Sequence, residues 1–368
     1  MKHILILADR EWTHPQAGGT GTVLYGLVSR WLAEGHKVTV IGGSYDGAPP
    51  VERPHERLEI HRMGTRVSVF PKAAWATLRG VGRDADLVLE VCNGIAFCTP
   101  LWPWLRQPRV LLVFHVHQRH YEAELGRFGS IAAFFLERLP LTSLYKSVPV
   151  MTISEDSRSE LIELGLSSEQ VEVVYLGLDR GILSPGTKSQ TPSMVYLGRL
   201  KQYKRIEVLL EMAAALPQTT LHLAGEGTHR GELMAEAERL GITDQVIFHG
   251  HVSEEKKAEL LRTSWVALTA SSAEGWSLAV FEAGASGTPT AALAVGGLRE
   301  AIIPGETGIL AANPAELTME VRRLLADPQA LLRMGDAAYK RSLEFTWDAT
   351  ADAAMALLER AAAERAAR

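Results

Sequence analysis

The stretch "HILILADREWTHPQAGGTGTVLYGLVSRWLAEGHKVTVIGG", His3 to Gly43, decides the fold class. An apolar run of strand length passes into a loop carrying Gly18, Gly19 and Gly21, then into an amphipathic segment, then into a second β-branched run. Val23, Leu24, Leu27, Val28, Trp31 and Leu32 recur at helical spacing, and Gly35 stands where a helix C-cap belongs. Strand, helix and strand in that order make a parallel βαβ unit. The alternation continues through "DLVLEV", "RVLLVFH" and "PVMTIS", as expected of a parallel sheet covered on both faces.

At Arg180 to Ser193 the pattern lapses into "RGILSPGTKSQTPS", whose two prolines and two glycines are linker chemistry. It then restarts with "SMVYLG", "TLHLAG", "QVIFHG", "WVALTA" and "PTAALA". We expect an α/β protein of two Rossmann-like, doubly wound domains, residues 1–182 and 183–346. An Ala-rich helix over 347–368 should pack back toward the N-terminal domain. Open α/β sheets bind ligands outside the carboxyl ends of their strands, so two such domains are expected to face each other across a central cleft.

The 368 residues suit two domains, and 46% hydrophobic with 22% charged residues is ordinary globular composition. A formal net charge of −5, from 38 basic and 43 acidic residues, gives no chain-wide attraction for nucleic acid. Cys92 and Cys98 lack the further ligands of a zinc site and read as reduced packing residues. The N-terminal run lacks the apolar region and cleavage site of a signal peptide, and no stretch is long enough to span a membrane. A cytoplasmic protein is expected, with peripheral contact to a membrane left open.

Four places could carry chemistry. Glycines at a helix start let backbone amides approach an anion, so Gly18 and Gly19 are candidates for phosphate contact. The dinucleotide fingerprint G-x-G-x-x-G is not met: the loop is too long and no acid ends the next strand. In "YLGRLKQYKRIEVLL", Arg199 and Lys204 lie between a strand and its helix, where guanidinium and ammonium together suit a diphosphate. "RVLLVFHVHQRHY" ends in His115, His117 and His120. His115, at the strand's end, is placed to donate a hydrogen bond to a substrate. Asp84 and Asp86 precede a strand and so lie at the wrong sheet edge for a nucleotide metal. Finally, "SSAEGWSLAVFEAGASGTP" puts Glu274 on a loop and Glu282 inside the helix that begins near Ser277. Glu282 alone reads equally as the partner of a lysine or of local backbone; with Glu274 and Gly275 it suggests sugar hydroxyls.

These residues resemble the retaining glycosyltransferases of family 4, with their two-domain GT-B architecture. The resemblance runs through "AGGTGTVLYGL", "TISEDSRSEL", "VVYLGLD", "GRLKQYKR", "LAGEGTHRGEL", "EGWSLAVFEAGASGTP" and "GGLREAI", nearly the whole chain. The two acids with seven residues between them are its most specific element. It implies that Arg199 and Lys204 bind the donor diphosphate, Glu282 the ribose, and Glu274 hydroxyls of the transferred sugar. Gly18 and Gly19 would approach the donor phosphates and His115 the reacting sugar. Gly275, Trp276, Ser277 and Leu278 would line the donor, with backbone amides of Gly296 and Gly297 completing the phosphate cradle.

Two positions depart from the family pattern: Leu176 stands for the asparagine of N-G-x-D, and Ser277 for the second glycine of E-G-x-G. The resemblance implies a nucleoside diphosphate sugar as donor, no metal or other cofactor, and a small-molecule, glycan or lipid-linked acceptor. Hexosyl transfer would follow by front-face attack with retention. The carboxylate separation rule of glycoside hydrolases does not apply, since both acids would hold the donor. A nucleotide-sugar epimerase or a hydrolase on the same scaffold is the alternative, because fold does not fix function.

Overall fold

The computed structural model describes residues 1–116, 131 and 133–367. The chain forms two compact units, Met1–Gly177 with Trp347–Arg368, and Leu178–Thr346.

The first unit holds an eight-stranded sheet of β1 His3–Leu7, β2 Lys37–Gly42, β3 Val51–His55, β4 Leu58–Arg62, β5 Leu87–Cys92, β6 Arg109–Val113, β7 Val150–Thr152 and β8 Val171–Val173. Their order is β3-β4-β2-β1-β5-β6-β7-β8. β3 pairs antiparallel with β4, and every other pairing is parallel. All of β1 is buried, as its unbroken apolar run requires when helices cover both sheet faces.

The helix Gly18–Ala33 buries Val23, Leu24, Leu27, Val28 and Trp31. Gly35, at φ 88°, ends it: its N–H reaches the carbonyl of Leu32 and that of His36 reaches Trp31. The terminal helix Trp347–Ala366 packs on this helix and on β5 and β6. Trp31 Nε1 donates to the carbonyl of Ala351 at 3.2 Å. The buried Trp347 indole lies directly over Gly26, where a Cβ would come within 2.4 Å of it. Cys92 and Cys98 are both free thiols, Cys92 within an apolar cluster with Leu111 and Tyr145.

The second unit has six parallel strands: β9 Ser193–Leu197, β10 Thr220–Ala224, β11 Val246–Gly250, β12 Val266–Thr269, β13 Thr290–Leu293 and β14 Gly308–Ala311. Their order, β11-β10-β9-β12-β13-β14, is that of the doubly wound nucleotide-binding fold. Its core joins Met194, Leu221 and Leu293 from the sheet to Leu209 and Val321 from helices.

The polar stretch expected to be a free linker belongs to this unit. Lys188 Nζ reaches Thr288 Oγ1 at 2.5 Å and the Arg262 carbonyl at 3.3 Å, and Trp265 Nε1 donates to Ser189 O at 2.9 Å. Lys188 and Ser189 thus tie the stretch to this unit, while Arg180, Ser184, Thr187, Gln190 and Thr191 are exposed. The chain enters and leaves this unit side by side, with Leu178 N bonded to Phe345 O at 3.2 Å.

Candidate functional site

In the second sheet the strand order reverses between β9 and β12, so the loops after these two strands diverge and leave a crevice at the carboxyl edge. Arg199, Lys204 and Glu274 all lie on those two loops. Lys204 Nζ donates to Glu274 Oε1, and Ser271 Oγ donates to the same oxygen at 2.8 Å. Ser272 N reaches the Tyr203 carbonyl at 2.8 Å, so the loops are joined through backbone as well as through charge. Arg199 is exposed, with Nη2 3.5 Å from the Tyr203 hydroxyl. A cation is thus held against an acid while a guanidinium stands open beside them, an arrangement able to take phosphate oxygens and a sugar hydroxyl together.

Glycines brace this edge at close approaches that side chains would forbid. A Cβ on Gly225 would lie 1.9 Å from the Gly198 carbonyl oxygen, and one on Gly227 2.0 Å from that of Leu200. Gly296, at φ 49°, and Gly297 press on the Glu274 and Gly275 carbonyls, each 2.1 Å from the Cβ it lacks; Gly297 N donates to Glu274 O at 2.8 Å. The turn at Gly296 therefore fixes the Glu274 loop.

The helix begins at Leu278, near Ser277 as expected, and Ser277 takes φ 75° and ψ 82°, the left-handed region where the family pattern has glycine. Two other expectations need correction. The Trp276 side chain is buried, stacked on Phe281 with ring centres 4.9 Å apart and edge-on to Phe345, so only its backbone can face a donor. The glycines of the first loop do not precede the helix but open it: Gly18, at φ 53°, is its first residue. Gly21 is a packing residue, its missing Cβ 2.9 Å from Trp12 Cα, whereas Gly19 has open space around it.

Glu282 is half-buried and accepts from Lys257 Nζ at 2.8 Å. Burial acts to lower the Lys257 pKa, but Glu282 and Glu254 outweigh it and hold the amine above its ordinary value. The lysine partner left open by the sequence is therefore present.

In the first unit the order reverses between β1 and β5. Asn93, just past β5, donates to Asp9 Oδ1 at 2.7 Å and accepts from Thr20 Oγ1 at 3.4 Å, tying that edge to the helix start. Glu11 and Arg62, both buried, bond at 2.8 Å, and Glu11 also accepts from Thr13 N at 2.6 Å. His115 is half-buried two residues beyond β6. His117, His120 and the aromatic stretch after them lie outside the described residues.

Sequence reasoning missed Ser271, Lys257, Asn93 and the Glu11–Arg62 pair. Asn93 directly follows β5 and Ser271 lies two residues past β12, so both were accessible from position; Lys257 and Arg62 meet their partners only through tertiary packing. Among the described residues, no group of three or more His, Cys, Asp or Glu could hold a metal, and no helix is long and apolar enough to cross a membrane.

The model for Glycosyltransferase Family 4 matches residues 17–181, and that for Glycosyl transferases group 1 matches residues 184–341. An MMP alpha-(1->4)-mannosyltransferase of Mycolicibacterium hassiacum is 34% identical over 418 residues, covering 99% of both chains. The chain belongs to glycosyltransferase family 4. Another relative of this family 4 member is a glycogen synthase of Mycobacterium tuberculosis, 31% identical over 93% of this chain and 92% of that one. A D-inositol 3-phosphate glycosyltransferase of Segniliparus rotundus is 32% identical over 51% of this chain and 46% of that one. Among solved structures, sucrose-phosphate synthase from Thermosynechococcus elongatus matches with TM-score 0.83 at 21% identity, over 98% of this chain and 99% of that one. Alr3699/HepE of Anabaena in complex with UDP-glucose matches with TM-score 0.76 at 17% identity, over 98% and 100%. This family 4 glycosyltransferase thus shares the GT-B fold of these structures.

Proposed function

We propose that this glycosyltransferase moves a hexosyl group from a nucleoside diphosphate sugar to an acceptor hydroxyl, with retention at the anomeric carbon. The observation that carries the reading is the Lys204–Glu274 pair beside the open Arg199, at the switch point of the second sheet. Breaking the bond to the leaving phosphate builds negative charge on its oxygens. Arg199 and Lys204 meet that charge, and such preorganised stabilisation is commonly the largest catalytic term. Glu274 is assigned to the hydroxyls of the transferred sugar and Glu282 to the ribose, which then takes over part of the partnership with Lys257.

The amides opening the helix at Leu278 and those of Gly296 and Gly297 supply further donors to the diphosphate. Gly18, Gly19 and His115 are assigned to the acceptor and the reacting end of the donor. Among the relatives, a mannosyltransferase and a glycogen synthase are hexosyl-transferring by name, and the structure of Alr3699/HepE holds UDP-glucose. Those names favour transfer over epimerisation. Front-face attack, with the departing phosphate taking the acceptor's proton, is the retaining route that needs no enzymic nucleophile.

The test is transfer measured with a panel of nucleoside diphosphate hexoses, parent against Arg199→Ala. Loss of roughly tenfold to a hundredfold in kcat/KM is expected if the guanidinium supplies a few kcal/mol to the transition state. An undiminished rate with the right donor overturns the assignment. A product of inverted anomeric configuration overturns retention.

A further inference from the structure

At the amino edge of the first sheet lies a cavity of about 320 Å³. Pro108 and Pro149, which lead into β6 and β7, mark that edge, and the last turns of the terminal helix close one side. Its apolar wall includes Trp102, Leu105 and Ala361, and its charged groups are Arg106, Arg109 and Arg365 against the single acid Glu364.

Arg109 is the least countered charge on the cavity wall. Its Nη2 reaches the carbonyls of Leu105 at 2.5 Å and Gln107 at 3.4 Å, while Nη1 is buried with no hydrogen-bond partner among the described residues. No carboxylate pairs with it among those residues. The acid whose charge acts on it most is Glu90, and Glu90 is pushed toward its neutral form by burial while accepting from Thr99 and the amide of Phe97. A guanidinium does not escape burial by losing its proton, so the charge stays and is poorly countered. Arg365 Nη1, 3.5 Å from the Gln107 carbonyl, and Arg106, Nε 3.1 Å from that of Pro103, add two more exposed cations at the rim.

We propose that this cavity binds a small organic anion, a phosphate monoester or carboxylate with an aromatic or branched apolar body, held by Arg106, Arg109 and Arg365 with its body against Trp102. The open guanidinium donors of Arg106 and Arg365 match the oxygens of such a group, and the edge of Trp102 with Pro103, Leu144 and Pro149 offers the apolar wall. The site is separate from the proposed reaction site. Arg109 opens β6 and His115 lies just past its other end, about 20 Å away at the rise of an extended strand. Because Arg365 and Glu364 belong to the terminal helix, occupancy ties the end of that helix to the sheet edge.

Calorimetric titration of the whole protein with phenyl phosphate tests this, with phenol as the neutral control. Saturable binding is expected for phenyl phosphate and none for phenol. It should persist in Lys204→Ala, weaken at least about tenfold in the double variant Arg106→Gln/Arg365→Gln, and tighten in Glu364→Gln. Both replaced arginines are exposed, so folding is not at issue; Arg109→Gln, if it folds, should abolish binding. The proposal is overturned if the double variant binds as tightly as the parent, if Lys204→Ala abolishes binding, if phenol binds equally well, or if nothing saturates below about 10 mM.

Discussion

Lys204 and Glu274 form an ion pair that bridges the loops of two neighbouring strands, with the two side chains only 15% and 13% exposed. Removing the lysine leaves a mostly buried carboxylate with Ser271 as its remaining side-chain donor. Lys204→Met is therefore expected to cost about 1–3 kcal/mol in denaturant unfolding, and adding Glu274→Gln should recover part of that loss. If the two changes simply add, the pair is not coupled in the folded state. Transfer, by contrast, should fall in both single variants and in the double, because the proposed chemistry uses both groups.

Ser277 holds φ 75°, a conformation that costs a residue with a Cβ roughly 1–2 kcal/mol. Glycine gives back some of that through its freedom in the unfolded chain, so Ser277→Gly should stabilise by about 0.5–1 kcal/mol. Ser277→Val should destabilise by more, since branching makes the left-handed region worse. Chemical denaturation of the three proteins decides it, and a less stable glycine variant would contradict the strain.

The contact of Gly26 with Trp347 leaves no room for a methyl group. Gly26→Ala should lose about 2 kcal/mol or more by overpacking and release the terminal helix before the rest of the first unit. Limited proteolysis would then cut within Trp347–Ala366 in the variant under conditions where the parent resists. Equal protection in both would show that the helix docks without this contact.

Lys188 has no carboxylate partner among the described residues, and burial holds its pKa down to about 8 from 10.5. Between those values the unfolded chain keeps a proton that the folded chain has released, so this group makes stability rise from about pH 8 to 10.5. Below about 8 both states are protonated and the cost of burying the charge is felt in full. The effect is at most about 3 kcal/mol, from 1.36 kcal/mol per unit. Urea unfolding of the parent and Lys188→Met across that range should show a difference that changes with pH; a constant difference would falsify the assignment.

Much of the fold was legible because it rests on local pattern. The His3–Gly43 stretch shows strand, helix and strand by periodicity alone, and repetition of that pattern yields two sheets that are parallel apart from the β3–β4 pairing. The placement of the charged candidates was legible because strand ends are predictable and Arg199, Lys204 and Glu274 stand beside them. Burial of Trp276 was not, since nothing local says that Phe345, seventy residues on, meets its ring. In the Arg180–Ser193 stretch the contacts of Lys188 with Thr288 and of Ser189 with Trp265 were hidden for the same reason, since both partners arrive from elsewhere in the chain. Lys257 likewise meets Glu282 only across two helices.

The first unit is assembled from both ends of the chain, residues 1–177 and 347–368, while the second is continuous. During synthesis the continuous unit can complete its core as soon as Thr346 has emerged, but the first must wait with the Gly26 face and Trp31 uncovered until the terminal helix arrives. Folding of the earlier half is thus finished last, and a chain cut short before Trp347 exposes an apolar groove on an otherwise formed sheet, a surface for chaperones or for aggregation.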